Sequence, residues 1–348
     1  MKKKNEFQLH GLLLINKDKE LSSFDVLRVL KRKLRTNQVG HTGTLDPMAT
    51  GVLPVCFGDA TKFVQYIMAQ EKQYIAKIQV GRSTNTYEAE GEFTESLPIE
   101  SIKIDQDQIK QVLSLFKGEM KQKPPMFSAL KVNGKRLYEL ARKGIEIEIE
   151  SREIEIYGID LLDLEMKAGF YPEFEVRVDC SKGTYIRSLA VDLGKNLGYP
   201  AHLTALIRTK TGHFDLDRCL SLSQIPDLSL ADHDTIDEEI DLKQALSKFI
   251  PLVNILDHLP VYLCNEIEIS ALMLGKQIKI NRDLAEEQVD LKDRFEGKLW
   301  INQEGSEQLS LIRLINTKGQ LVSLGQIEGD FFKVMKNFKT FDFQEHLR

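Results

Sequence analysis

Several features that mark membrane, secreted or metal-binding proteins are missing from this sequence of 348 residues. No apolar run approaches the roughly 18 to 20 residues of a membrane span, and the basic N-terminus lacks the long apolar region of a secretory signal. There is no internal repeat and no cluster of metal ligands. The cysteines lie far apart without a CxxC pair, which predicts no zinc site and a reducing cytoplasm, with the thiols as small core residues: Cys56, Cys180, Cys219 and Cys264.

A net positive charge is missing as well, although the charges are unevenly distributed. The formal net charge is −5. Residues 1–212 carry 32 basic and 28 acidic side chains, whereas residues 213–348 carry 15 and 24. Phosphate contacts are therefore expected mainly in the N-terminal part. In the acidic C-terminal part, any contact should come from a local patch formed by Lys333, Lys336 and Lys339.

Length and composition predict one large domain and one small domain. The hydrophobic content of 42% is ample for a packed core, and a chain of this length exceeds the usual size of a single core. From about Pro251 the sequence changes to short strand candidates separated by turns that contain Gly and Asn, beginning with Leu299 to Ile301. We therefore expect domains over residues 1–250 and 251–348.

Hydrophobic periodicity predicts the main secondary-structure elements. Apolar residues at helical spacing indicate a helix from Ser22 or Ser23 to about Leu34, and a second helix for which Thr184 is a plausible N-cap and Gly198 an end signal. Apolar residues alternate with polar ones over three further stretches, which indicates strands: 74–80, 145–156 (as a half-exposed strand pair) and 174–180.

The stretch from Gly40 to Phe63 concentrates turn-forming residues around one carboxylate. It reads GHTGTLDPMATGVLPVCFGDATKF, and its glycines and the Asp46-Pro47 step favour turns. A short buried strand over 51–57 and a helix over 59–69 are predicted to follow. An Asp on a stiff loop beside a strand is well placed for chemistry, because little ordering is needed to position it.

The string G-H-T-G-T-L-D-P-x-A-T-G-V-L-P in this stretch resembles the catalytic motif of the TruB-type tRNA pseudouridine synthases. The resemblance implies an α+β fold with a mixed, largely antiparallel sheet, flanking helices and a small C-terminal β-barrel of the PUA-like, RNA-binding type. It also implies that Asp46 is the catalytic carboxylate, acting as a nucleophile at C1′ or C6 or as the acceptor of a C2′ proton. Because the isomerisation is redox-neutral, no cofactor is expected.

Two further signatures assign other catalytic residues through the same resemblance. Tyr74, on the apolar face of its strand, matches the family tyrosine that stacks on the target base. The string CSKGTYIR, which ends at Arg187, resembles the family's second signature. Arg187 is accordingly expected to pair with Asp46, hold it ionised and orient it, and Tyr185 is expected to bind the substrate.

Three more residues are expected to contact the substrate. Leu206 aligns with a family residue that packs on the target uracil, although an isolated Leu would simply be core. His41 resembles the residue that fills the space left by the flipped base. Lys17 ends the first predicted strand, but the residues after it depart from the Pro and Gly that the family usually has there.

Residues 121–150 are interpreted as an RNA-binding insertion. Basic side chains there interleave with Phe127 and Tyr138, which suits an RNA surface because charge holds phosphate and rings stack on bases. The segment also resembles the family's PPxFSALKxxGxRxYxxAR insertion, which closes over the T-loop. The candidates for RNA contact are Lys131, Arg136, Arg142 and Lys143.

The resemblance implies an isomerase that converts uridine 55, in the T-arm of tRNA, to pseudouridine by base flipping, glycosidic bond cleavage and C1′–C5 joining. It is expected to act as a cytoplasmic monomer, without a membrane or an obligatory protein partner. Since the predicted site is complete by Leu206, a chain that ends near Lys248 is expected to modify an isolated T-arm stem-loop.

Two alternatives stay open at this point. One is a tRNA-folding chaperone on the same scaffold. The other is a glycoside hydrolase, which would need a second acid near Asp46. The only neighbouring carboxylate in the sequence, Asp59, is interpreted as a helix cap.

Overall fold

The chain forms two compact units in the computed structural model. The larger unit takes its residues from 13–55 and 64–248, and the smaller unit from 1–12, 56–63 and 249–348. The two units thus combine separate stretches of the chain, and the predicted boundary after residue 250 stays a prediction. The structure describes residues 9–68, 71–128, 130–132, 134–141, 143–145, 147–228, 248–257, 259–279 and 311–338.

The described residues contain short helices and many strands. The helices are α1 (Ser23–Lys33), α2 (Val64–Met68), α3 (Gln106–Ser114), α4 (Leu137–Ala141), α5 (Ile186–Leu197) and α6 (Glu266–Met273). The strands are β1 (Gly11–Lys17), β2 (Val39–His41), β3 (Thr50–Phe57), β4 (Lys72–Val80), β5 (Arg82–Thr84), β6 (Phe93–Ser96), β7 (Gly118–Gln122), β8 (Lys131–Val132), β9 (Lys135–Arg136), β10 (Arg152–Glu165), β11 (Glu173–Cys180), β12 (Ala201–Thr211), β13 (Phe214–Asp215), β14 (Ile250–Pro251), β15 (Val261–Leu263), β16 (Ile278–Lys279), β17 (Leu311–Ile315), β18 (Leu321–Glu328) and β19 (Phe331–Asn337).

One mixed sheet forms the centre of the larger unit. Its strands follow the order β1-β3-β12-β4-β11-β10-β7. The β3–β12 pair is parallel, and the pairs from β12 through β4, β11 and β10 to β7 are antiparallel. Helix α5 packs against β12 and α3. The predicted fold class, α+β with a largely antiparallel sheet and flanking helices, is confirmed.

Most segments with a periodic pattern form the helix or strand that the pattern predicts. In β4 and β11, alternate side chains are buried, including Tyr74 in β4 and Val176 in β11. The cap of α1 is Ser22, which forms a capping box with Asp25, and α5 ends at Gly198 in the left-handed conformation. Local pattern was sufficient here because each element buries one regular face.

Two local predictions were wrong, and the predicted helix over 59–69 was right only in part. Gly58–Phe63 forms a 3-10 helix, and only Val64–Met68 continues as α-helix. The strand predicted over 145–156 begins only at Arg152, because its partner β7 ends where Gln122 pairs with Arg152. Thr184 is not the cap of α5, since its hydroxyl donates to Ser181 O at 3.0 Å and the helix begins at Ile186.

The smaller unit contains a five-stranded sheet in the order β15-β17-β18-β19-β16. Its core includes Tyr262, Leu314 and Phe332. The segment 56–63 contributes to the same unit, where the ring of Phe63 stacks on that of Phe338 with 5.0 Å between centroids. A chain that ends near Lys248 would therefore leave this segment without its packing partners. The strand predicted at Leu299 to Ile301 lies outside the described residues.

Within the described residues, no helix is both long and apolar enough to cross a bilayer.

Gly51 should be intolerant of any side chain. Its φ is +104°, and an added Cβ would overlap Arg208 O and lie 2.8 Å from Arg208 N. We expect Gly51→Ala to lower the free energy of unfolding by more than about 3 kcal/mol, because backbone strain and a clash with backbone add together. Thermal or urea unfolding measures this change.

Gly118→Ala is the matched control. Gly118 has a similar φ of +102° but no atom within 4 Å of the added Cβ. Gly118→Ala should lower the free energy of unfolding only by the roughly 1 to 2 kcal/mol that the backbone conformation alone costs a residue with a side chain. Equal losses of stability in the two variants would show that the clash with Arg208 adds nothing to the cost of the backbone conformation.

Candidate active site

The loop that carries Asp46 (residues 42–49, the Asp46 loop) is held on both sides of that residue. Before it, Leu45 N donates to Ser23 Oγ at 2.8 Å, and Ser23 Oγ lies 3.1 Å from Leu45 O. After it, Lys17 Nζ donates to Pro47 O at 3.2 Å. Ser23 and Lys17 are buried. The backbone at Asp46 is thus fixed by two side chains from the first 23 residues.

Lys17 uses its ammonium group on backbone carbonyls. Besides Pro47 O, Nζ donates to Leu21 O at 2.6 Å and to Asp18 O at 2.9 Å, which occupies all three of its donors. Burial lowers the pKa of Lys17 to about 8, although Asp46 opposes this shift. The predicted role of Lys17 in substrate binding stays a prediction, and the contacts seen are those of a residue that supports the loop.

Asp46 and Arg187 meet across 141 residues of sequence. Nη2 of Arg187 donates to Asp46 Oδ1 at 3.1 Å, and Nε lies 2.9 Å from Asp46 Oδ2 as an ion-pair contact. The Arg187 side chain is 5% exposed and that of Asp46 33%. The predicted pair is therefore present in the structure, with the guanidinium buried and the carboxylate open to the cavity beside it.

Two backbone carbonyls complete the surroundings of Arg187. Its Nη2 also donates to Phe127 O at 2.8 Å, and Nη1 donates to Thr86 O at 3.2 Å. The start of α5 is held by Gln122, whose side chain accepts from Tyr185 N at 2.8 Å and donates to Tyr185 O at 3.0 Å. These contacts fix the position of the guanidinium from three separate segments.

Glu88 is a second carboxylate at this site, and the sequence analysis missed it. Its Oε2 lies 3.8 Å from Arg187 Nε, and the side chain is 12% exposed. Burial raises the pKa of Glu88 to about 7, Arg187 opposes that rise and Asp46 adds to it. Residues 84–100 are polar and acidic, a composition typical of a surface loop or hairpin. Nothing in their pattern marked one acid as buried.

A cavity of about 360 Å³ opens beside the Asp46–Arg187 pair. Tyr74 and Leu206 line it from the neighbouring strands β4 and β12. Tyr185 lies on the same wall, as do Lys72 and Arg208. The volume lies in the range of sites for small molecules, so a single nucleoside fits. The structure thus brings together five of the predicted residues: Asp46, Tyr74, Tyr185, Arg187 and Leu206.

His41 is not among the residues that line this cavity. Gly43 N donates to its Nδ1 at 3.4 Å. Burial lowers the pKa of His41, and the nearby charge of Arg208 lowers it further. The imidazole is therefore expected to be neutral at neutral pH.

The predicted RNA-binding insertion contains a short hairpin and a short helix. Strands β8 and β9 pair with Lys131 opposite Arg136, and α4 follows. The side chains of Lys131 and Arg136, and the whole of Arg142, lie outside the described part of the chain. Lys143 is exposed. RNA binding by this segment stays a prediction.

No metal centre is found within the described residues, where no group of three or more His, Cys, Asp or Glu side chains could hold an ion. The cysteines form no disulfide, and Cys56, Cys180 and Cys264 are buried, as expected for small core residues. Asp59, the acid considered for a hydrolase, pairs with Lys62 at 2.9 Å. The expectation that no cofactor takes part stays a prediction.

Comparison with known proteins identifies the family. Residues 31–186 match the TruB family pseudouridylate synthase N-terminal domain, and residues 187–255 match the tRNA pseudouridylate synthase B C-terminal domain.

Relatives named tRNA pseudouridine synthase B extend this match along the chain. The protein from Francisella tularensis is 49% identical over 227 residues, which cover 65% of this chain and 73% of that protein. The protein from Clostridium tetani is 39% identical over 307 residues, which cover 88% of this chain and 100% of that protein.

Solved structures share the fold. A chain from a Cbf5-Nop10-Gar1 complex superposes with a TM-score of 0.67 at 24% identity, covering 96% of this chain and 86% of that one. This likeness supports the fold alone. The family models and the identities over most of the chain lead to one conclusion, that this protein belongs to the TruB family of pseudouridylate synthases.

Proposed function

We propose that this protein isomerises uridine 55 in the T-arm of tRNA to pseudouridine, with Asp46 as the catalytic carboxylate. The observation that carries the proposal is the Asp46–Arg187 pair on the wall of a cavity that Tyr74 and Leu206 also line. The names of the relatives support the same reaction and the same class of substrate.

The reaction breaks the C1′–N1 bond, turns the base and forms a C1′–C5 bond. The proton on C5 is lost and N1 gains one, so that atoms and electrons balance without an oxidant. Asp46 provides the negative charge that this exchange needs at the sugar or base. Arg187 fixes the direction of the Asp46 carboxylate, because a guanidinium fork matches carboxylate geometry.

The detached base has to stay in the cavity until C5 faces C1′. Tyr74 and Leu206, 9% and 6% exposed, supply an aromatic and an aliphatic surface on which a uracil ring packs. The base reaches the cavity by flipping out of the T-loop, at a cost of a few kcal/mol. A neutral His41 is suited to fill the vacated space, since it adds no charge among the stacked bases.

Glu88 is proposed to support the pair rather than to act as the second acid of a hydrolase. A hydrolase would place water between two carboxylates, whereas Glu88 and Asp46 both face the guanidinium of Arg187. A chaperone role alongside catalysis is compatible with the basic insertion. A chaperone role alone would not explain why the Asp46–Arg187 pair lies on the wall of a cavity.

The partner is tRNA, and the protein is proposed to act as a cytoplasmic monomer without an obligatory protein partner. Support for the monomer comes from the site itself, because Asp46, Tyr74, Arg187 and Leu206 belong to one unit of one chain. The C-terminal residues are proposed to form a PUA-like RNA-binding domain that adds a weak contact. Lys333 there already pairs with Glu328 at 2.8 Å, which reduces its attraction for phosphate.

Asp46→Asn should abolish pseudouridine formation, because a neutral amide can neither attack nor accept a proton. The affinity for a T-arm stem-loop should stay within about tenfold of wild type, or roughly 1.4 kcal/mol. Carbodiimide-stop mapping of an unmodified tRNA transcript measures the product, and filter binding measures the affinity.

Asp59→Asn is the control, since this residue also lies in the motif region but pairs with Lys62 in the smaller unit. It should keep the wild-type rate. Substantial pseudouridine formation by folded Asp46→Asn protein would show that Asp46 is not the catalytic carboxylate.

Glu88 should make stability fall as pH rises. Its pKa is about 7 in the folded protein against an ordinary 4.5, so the folded state binds more protons than the unfolded state between these values. The neutral acid is accommodated at low pH, and stability is lost as pH rises from about 4.5 through 7. The loss is at most on the order of 3 kcal/mol.

Glu88→Gln keeps the shape of the side chain and removes this titration. Its melting temperature should decline less between pH 5 and pH 7.5 than that of the wild type, as followed by thermal unfolding. Glu90→Gln, at an exposed neighbour, should retain the wild-type decline. Parallel curves for wild type and Glu88→Gln would show that Glu88 titrates normally.

A further inference from the structure

We propose that Arg208 is a positioning residue that couples the two halves of the active site, holding the Asp46 loop and the Tyr74 side chain in one arrangement. The inference rests on the proposed function, since it assigns a role in that same reaction. Arg208 lies two residues after Leu206 in β12, and no sequence feature assigned it a role.

The guanidinium of Arg208 holds the Asp46 loop near both of its ends. Nη2 donates to Gly43 O at 3.2 Å, at the start of the loop. Nε donates to Val52 O at 2.8 Å, in the strand that follows the loop. A single planar group therefore sets the distance between the two ends, and Asp46 lies between them.

The same side chain contacts the other half of the site. Arg208 is the cross-strand partner of Tyr74 in the β4–β12 pair. Burial raises the pKa of the Tyr74 phenol, whereas the charge of Arg208 and its side-chain contact lower it. Both side chains line the same cavity, in which the Tyr74 ring is proposed to stack on the base.

The burial of this charge suggests that it does more than stabilise the fold. Arg208 is 2% exposed, and among the described residues no carboxylate lies within 4 Å of its guanidinium. A buried cation without a carboxylate is costly, and an apolar side chain would fill such a position at less cost. Its hydrogen-bond acceptors are backbone carbonyls of the Asp46 loop and of the strand that follows it, and it lines the same cavity as Tyr74.

Arg313 is a matched control in the smaller unit. It is also buried, and its guanidinium also donates to backbone carbonyls, namely Val253 O at 2.5 Å, Asp257 O at 3.0 Å and Leu259 O at 2.9 Å. These three acceptors of Arg313 belong to the smaller unit, as Arg313 itself does. Removing the charge at each position therefore distinguishes the loss of stability that any buried arginine would cause from a specific loss of reaction rate.

The test uses Arg208→Met, Arg208→Lys and Arg313→Met in the full chain. Single-turnover rates are measured with saturating enzyme on a T-arm stem-loop, at a temperature well below each melting temperature, together with stem-loop affinity. We expect Arg208→Met to lower the saturated rate at least a hundredfold and the affinity no more than threefold. Arg208→Lys keeps the charge but has no fork for two carbonyls, so its rate should lie above that of Arg208→Met but more than threefold below that of wild type.

Arg313→Met should lose stability and keep the wild-type saturated rate. If either folded Arg208 variant reacts within threefold of wild type, or if the rate at saturation is unchanged and only the melting temperature falls, the positioning role is wrong. Should Arg208→Met fail to fold, Arg208→Lys alone decides by the same threefold criterion. A wild-type protein that forms no pseudouridine in this assay would instead overturn the proposed function and, with it, this inference.

Discussion

The ion pair between Arg187 and Asp46 is the interaction on which the rest of the site depends. A guanidinium that is 5% exposed needs its donors occupied and its charge compensated. Asp46 and Glu88 compensate the charge, and Asp46, Thr86 O and Phe127 O accept hydrogen bonds from the Nη atoms, all from separate parts of the chain. Satisfying one buried cation therefore brings the Asp46 loop, the segment after β4, the insertion and α5 to the same place.

Buried cations on backbone carbonyls supply the rigidity of the Asp46 loop. Lys17 holds Pro47 O, while Arg208 holds Gly43 O and Val52 O. Hydrogen bonds from charged donors are stronger than neutral ones. A catalytic carboxylate gains from such a support because its position is set before substrate arrives, so less ordering is required in the transition state.

Local errors in the sequence analysis arose where a tertiary contact competed with a regular pattern. Residues 59–69 looked helical, yet Phe63 packs in the smaller unit, and the backbone takes a 3-10 turn before α2. The predicted strand over 145–156 begins only at Arg152, which pairs with Gln122, the last residue of the five-residue strand β7. Periodicity describes the faces of a segment but not the length of the strand that it meets.

The sequence by itself determined the elements with one regular buried face, namely α1, β4 and β11, and it determined the family through the motif around Asp46. Only the tertiary structure decided which side chains converge. Glu88 lies in a polar segment and Arg208 in a strand with other charges, so the sequence alone distinguishes neither residue from its neighbours. Their roles depend on burial and on partners that are distant in sequence, such as Arg187 for Glu88 and Gly43 for Arg208. Such partners are set by the order of strands in the sheet rather than by local spacing.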